Sequence, residues 1–142
     1  MSQELPVAVW ESTSPEVKRY EGDTYSAVSI STLKAGDLVK FGSNSGLIQC
    51  VAADPQPVIR TALYDAASGV RVTTIRGIVR ARWDGVGAPV LTSLLGASAT
   101  RSGWFEVSAV TSGNLVFATY ADTTVPNPGA TVSGTLLIVR YL

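Results

Sequence analysis

The chain contains no histidine. Ser-His-Asp and Cys-His nucleophile systems and His-based zinc sites are therefore excluded. It contains a single cysteine, Cys50, so neither an internal disulfide nor a multi-cysteine metal site can form. Within the apolar run Leu47 to Val51, that thiol is expected to be a small buried hydrophobe. Charge is scarce: 15% of residues are charged, against the ~25% usual for a globular domain. The eleven basic and eleven acidic residues cancel, leaving no long-range field to draw in nucleic acid or an anionic membrane. No apolar run approaches the ~18 residues that cross a bilayer as a helix. Met1 to Pro6 lack a basic segment followed by an apolar one, which points to synthesis in a cytoplasm-like compartment. Helical periodicity is also rare. Glu16 to Tyr25 has room for one turn and Pro89 to Gly96 for two, both short of an ordinary helix.

What remains is the composition of an all-β protein. Gly, Pro, Ser, Asn and Asp punctuate stretches rich in Val, Ile, Thr, Tyr and Trp. At 142 residues, 46% of them hydrophobic, the chain is one domain in size and can build a core without metals or disulfides. The expected architecture is a compact β barrel or sandwich of short antiparallel strands over residues 26–142, with residues 1–25 as an extended N-terminal arm. Leu38 to Phe41 and Leu47 to Val51, joined by Gly42-Ser43-Asn44-Ser45-Gly46, predict a hairpin. Trp104 to Ser108 and Leu115 to Tyr120 predict a second. Val70 to Trp83 alternates as one long strand, or two strands bent at Gly77, and Thr135 to Tyr141 reads as a buried last strand. A short internal likeness relates Ala62 to Arg80 to Ala118 to Arg140, as two similar β units or by chance.

Catalytic patterns are few. Gly42 to Gly46 has Asn44 where a nucleophile elbow places serine, and Gly85-Val86-Gly87-Ala88 lacks the third glycine and helix of a dinucleotide site. Asp84 with Glu106, or Asp65 with Asp122, offers the paired carboxylates of glycosidase chemistry, though turn and surface roles suit these acids better. The expectation is a protein with no catalytic residues, cofactor or metal. Candidate interface residues lie in two places. On the arm, Val7 and Val9 share one face of an extended segment and Trp10 takes the other, suited to adding to a neighbour's sheet edge; the alternative is the first edge strand of the same domain. On the long strand, Arg76, Arg80 and Arg82 share a face opposite Val79, Ala81 and Trp83, a basic ladder that can grip an acidic surface or pair with nearby acids. Trp83 and Trp104 are expected in the core.

Leu33-Lys34-Ala35-Gly36-Asp37-Leu38-Val39, then Val51-Ala52-Ala53-Asp54, Ala62 to Gly69 with Val70-Arg71-Val72, and Gly77-Ile78-Val79 resemble the corresponding motifs of tailed-phage capsid decoration, or cement, proteins. The likeness covers roughly residues 30 to 80. Thr61 precedes Ala62 where the family pattern has glycine, and the leader is longer than that pattern needs. The resemblance implies a homotrimer bound to the major capsid protein on the outside of the virion, with no catalysis, no nucleic acid and no membrane. The alternative is a tail, baseplate or receptor- and carbohydrate-binding β module.

Overall fold

A computed structural model describes residues 7–9, 22–52, 59–107, 116–123 and 134–142. Among these, nine antiparallel strands curl into a half-barrel: β1 (Gly22–Val28), β2 (Leu38–Phe41), β3 (Leu47–Gln49), β4 (Arg60–Ala62), β5 (Arg71–Arg82), β6 (Leu94–Ala97), β7 (Phe105–Val107), β8 (Val116–Tyr120) and β9 (Leu136–Tyr141). The expected all-β class is the observed one. The strands run in the order β3-β2-β4-β5-β9-β8-β6-β7, with β1 on β5.

The long strand β5 organises this arrangement. Its first half pairs with β1 and β4, its second half with β9, and the exchange of partners falls at Gly77. Gly22 stands opposite Gly77, and a Cβ on Gly22 would lie 2.9 Å from the Gly77 Cα. Two glycines therefore let the backbones approach where the ladder changes hands. Ile75, Val79 and Ala81, with Trp83 just beyond the strand, face the main core, where Val7, Leu95, Phe105, Phe117, Leu137 and Val139 meet them. Alternation along β5 is the period-two pattern of a strand with one buried face. Val72, on the opposite parity, joins Ala27, Leu33, Val39, Leu47, Ala62 and Ala66 in a second apolar cluster. Of β1 itself, Ala27 alone is buried; its other six residues are exposed.

Two isolated parallel bridges return the ends of the sheet toward its middle. Ser29, just after β1, meets Leu47 of β3, and Trp83, just after β5, meets Phe105 of β7. Arg60 ties β4 to β1 across β5. Its Nε donates to Thr74 Oγ1 at 2.7 Å, one terminal nitrogen donates to the Asp23 carbonyl at 2.7 Å, and the guanidinium lies 5.9 Å from the Tyr25 ring centre.

Several sequence expectations need correction. Pro89 to Gly96 is not helical: bends and a turn lead into β6. The second hairpin does not form, because β6 lies between β7 and β8 and pairs with both. Gly22 to Tyr25 belongs to β1, while residues 16–21 of the expected turn lie outside the described residues. The arm boundary at residue 25 consequently falls inside a strand. The internal likeness is not carried by register: Ala62 pairs with Thr74, twelve residues on, whereas Ala118 pairs with Tyr141. Both are antiparallel returns, with different offsets. The first hairpin forms as expected. Asn44 and Ser45 take positive φ (55° and 58°), the left-handed values its connection demands.

Candidate functional site

The motif that carries the family likeness folds into a turn. Gly36 adopts φ +90°, the Asp37 N–H donates to the Lys34 carbonyl, and the Lys34 N–H donates back to Asp37 Oδ2 at 2.9 Å. The Ala35 N–H donates to Asp65 Oδ1, and the Gly36 N–H to the Ala62 carbonyl, both at 2.8 Å, so the turn is docked on the end of β4. Gln49 donates its amide to Asp37 Oδ2 at 2.9 Å. Burial raises the Asp37 pKa above 3.8, against the opposing pull of these donors and of Arg82 and Lys34. A carboxyl that holds its proton more tightly when folded favours the native state most at low pH. That contribution is lost as pH rises from 3.8 through the raised value. A carbon-detected NMR titration of Asp37 should give a midpoint above 3.8; one below it would contradict this picture.

A second turn faces the first. Ser98 Oγ accepts the N–H groups of Thr100 and Arg101 at 3.2 and 3.1 Å while donating to Asp84 Oδ2 at 2.6 Å. Gly103 takes φ +80° against the Gln49 side chain, and its N–H and carbonyl join Cys50 and Leu38. These contacts fix Arg101, whose guanidinium lies 4.9 Å from the Trp104 ring centre. Between the turns run two hollows of about 410 and 280 Å³. The larger is lined by Thr32, Lys34, Asp37, Gln49, Arg101 and Trp104, and the smaller by Lys34, Asp65, Arg82 and Trp104.

The expected interface residues are scattered. Val7 is 3% exposed in the chain's own core, Ala8 bridges Val79, and the Val7 carbonyl accepts the Arg80 N–H. The Val7 side chain is therefore not offered to a neighbour, because β5 already supplies the sheet edge it was expected to seek. Val9 is half-buried, and Trp10 lies outside the described residues. Arg76, Arg80 and Arg82 do lie opposite Val79, Ala81 and Trp83. Yet Arg82 is buried and donates to the Ala35 and Gly134 carbonyls at 2.9 and 3.1 Å, pinning loops that fold over that face. Arg76 lies over Tyr141, 5.8 Å from the ring centre, and Arg80 is half-buried. An open three-arginine ladder is not what the strand presents.

The acids proposed for a cleft hold local structure. Asp84 Oδ1 accepts the Val86 N–H at 2.8 Å, and Asp122 Oδ2 accepts the Ile138 N–H at 2.9 Å. Trp83 is buried as expected, but Trp104 is only half-buried and walls the groove. No group of three or more metal-ligating residues occurs among the described residues.

An exposed apolar stretch was not expected from the sequence. Gly85 to Thr100 contains no charged residue, and within it Val86, Val90, Leu91 and Leu94 are 56, 68, 52 and 43% exposed. Val90 to Ser93 form a turn closed by the Ser93 N–H on the Val90 carbonyl at 2.9 Å, and Thr92 and Ser93 are bonded to Tyr120 of β8. Thr92 stands third in that turn with φ +71°, the place where a type II turn wants glycine. Such strain in a β-branched residue costs roughly 1–3 kcal/mol. Thr92→Gly should relieve it, less the ~0.5–1 kcal/mol of backbone freedom that glycine loses. The expected gain is about 1 kcal/mol, read as a higher urea midpoint; a lower midpoint would contradict the assignment. A second apolar spot lies where Tyr25 and Phe41 meet edge-to-face, 5.6 Å between ring centres, both exposed.

No family model matches the sequence, and no curated protein matches it significantly.

Proposed function

We propose that this chain is a structural module that seats on the outside of a tailed-phage capsid as a homotrimer and stabilises the shell through contacts with the major capsid protein. The observation that carries the reading is an exposed apolar stretch: Val86, Val90, Leu91 and Leu94 stand exposed in a segment without charge that includes a turn with positive φ at Thr92. Exposed apolar side chains that recur along one uncharged segment suit a contact surface, and strained backbone persists where its surroundings over-determine it. The low charge of the chain and the turn at Lys34-Ala35-Gly36-Asp37, which resembles the decoration-protein motif, support the same reading.

The proposed role requires no turnover, cofactor or nucleic acid. Electron microscopy of purified tailed-phage capsids, with and without added protein, tests it. Added knobs at three-fold positions are expected; shells left bare at saturating protein would overturn the reading.

A further inference from the structure

The groove between the Lys34 and Arg101 turns has properties that neither the turns nor the exposed apolar stretch require. Three cations border its two hollows, Lys34, Arg82 and Arg101, against two acids, Asp37 and Asp65. The acids are already engaged by backbone: Asp37 by the Lys34 N–H and Asp65 by the Ala35 N–H. Arg82 is likewise held by two carbonyls. Lys34 and Arg101 remain exposed, and neither forms an ion pair with a carboxylate of the described residues.

Arg101 is preorganised. Its backbone is capped by Ser98 and its guanidinium is laid on Trp104. A guanidinium fixed by stacking keeps its fork of N–H donors free for a carboxylate, and little side-chain entropy remains to be lost on binding. The same stack argues against a sugar. A pyranose needs an open aromatic face, but Arg101 covers one face of Trp104, and Gly134 crowds the Cη2 edge of the ring, where a Cβ would stand 3.2 Å away.

We infer that this groove is a docking site for an acidic segment of a protein partner, with Arg101 gripping a carboxylate bidentately and Lys34 attracting a second one along the groove. The inference rests on the reading of the chain as an assembly module and gives its partner surface a chemistry: extended, with carboxylates at close spacing. It also relocates the basic contact from the β5 arginines, of which Arg82 is turned inward, to Lys34 and Arg101.

The full chain, labelled with nitrogen-15, is titrated with an acetylated hexaglutamate amide, and the Trp104 indole N–H, assigned with Trp104→Phe, is followed by NMR. Saturable shifts confined to Trp104, Arg101 and the Lys34 turn are expected, with no response to hexaglutamine. Arg101→Ala should weaken binding at least fivefold and Arg101→Lys partially, while Arg140→Ala, exposed and outside the groove, should leave it unchanged. The site would be overturned by no shift with hexaglutamate, by Arg140→Ala weakening binding as much as Arg101→Ala, or by hexagalacturonate binding the groove more tightly than the peptide. Decoration of capsids by a protein that fails this titration would remove the groove alone. Peptide binding by a protein that decorates no shell would remove the assembly reading alone.

Discussion

Trp83→Ala should destabilise the fold by about 3–5 kcal/mol, the range for deleting a large buried aromatic. Trp83 is 2% exposed and stands where β5 ends and the sheet curls back. Its backbone N–H donates to the Thr135 carbonyl, its indole N–H reaches the Val86 carbonyl at 3.3 Å, and it bridges Phe105 of β7. Alanine would leave a cavity flanked by strands already paired with others and unable to collapse into it. Against a total stability of about 5–15 kcal/mol for a domain, that is a large fraction. Urea unfolding should show a much lower midpoint with little change in slope. Trp83→Phe keeps most of the volume and loses mainly the N–H donor, so it should cost less than half as much. An alanine variant within about 1 kcal/mol of the parent would mean that the curl does not depend on this residue.

The second large effect concerns assembly. Placing aspartate at both Val90 and Leu91 should reduce occupancy on capsids by well over tenfold. Each aliphatic side chain buried at a contact contributes on the order of 1.5–3 kcal/mol, and each 1.4 kcal/mol is a factor of ten. Both side chains are more than half exposed, so the urea midpoint should change little. Quantitative gel analysis of pelleted shells would read the occupancy. Unchanged occupancy would show that Val90 and Leu91 are not the contact.

The parts of this fold that were legible in the sequence are those where local chemistry and final environment agree. The first hairpin turns at Asn44 and Ser45, between two glycines whose own φ is negative, and β5 follows the alternation that turns Val79, Ala81 and Trp83 inward. β6 was not legible. Leu94-Leu95-Gly96-Ala97 neither alternates nor carries a β-branched residue, and it is held extended by β7 and β8 on either side. That tertiary override of propensity also dissolved the predicted second hairpin. Arg82 shows a different limit. Alternation gave its face correctly, but only the chain path brings the Ala35 and Gly134 carbonyls over it. The groove left one faint trace, Arg101-Ser102-Gly103-Trp104, whose glycine permits the turn that lays arginine on tryptophan. Nothing in the local pattern announces that the Lys34 turn will face it. The exposed apolar stretch was in plain view as a charge-free run from Gly85 to Thr100, but a run of apolar residues does not by itself say which of them the fold leaves exposed.

A shell component travels with its shell. With the protein tagged in its native source and the lysate separated on a density gradient, most of the tag should sediment with intact capsids, and the paired aspartates at Val90 and Leu91 should strip it from them. Protein that stays at the top of the gradient while capsids sediment without it would contradict the account.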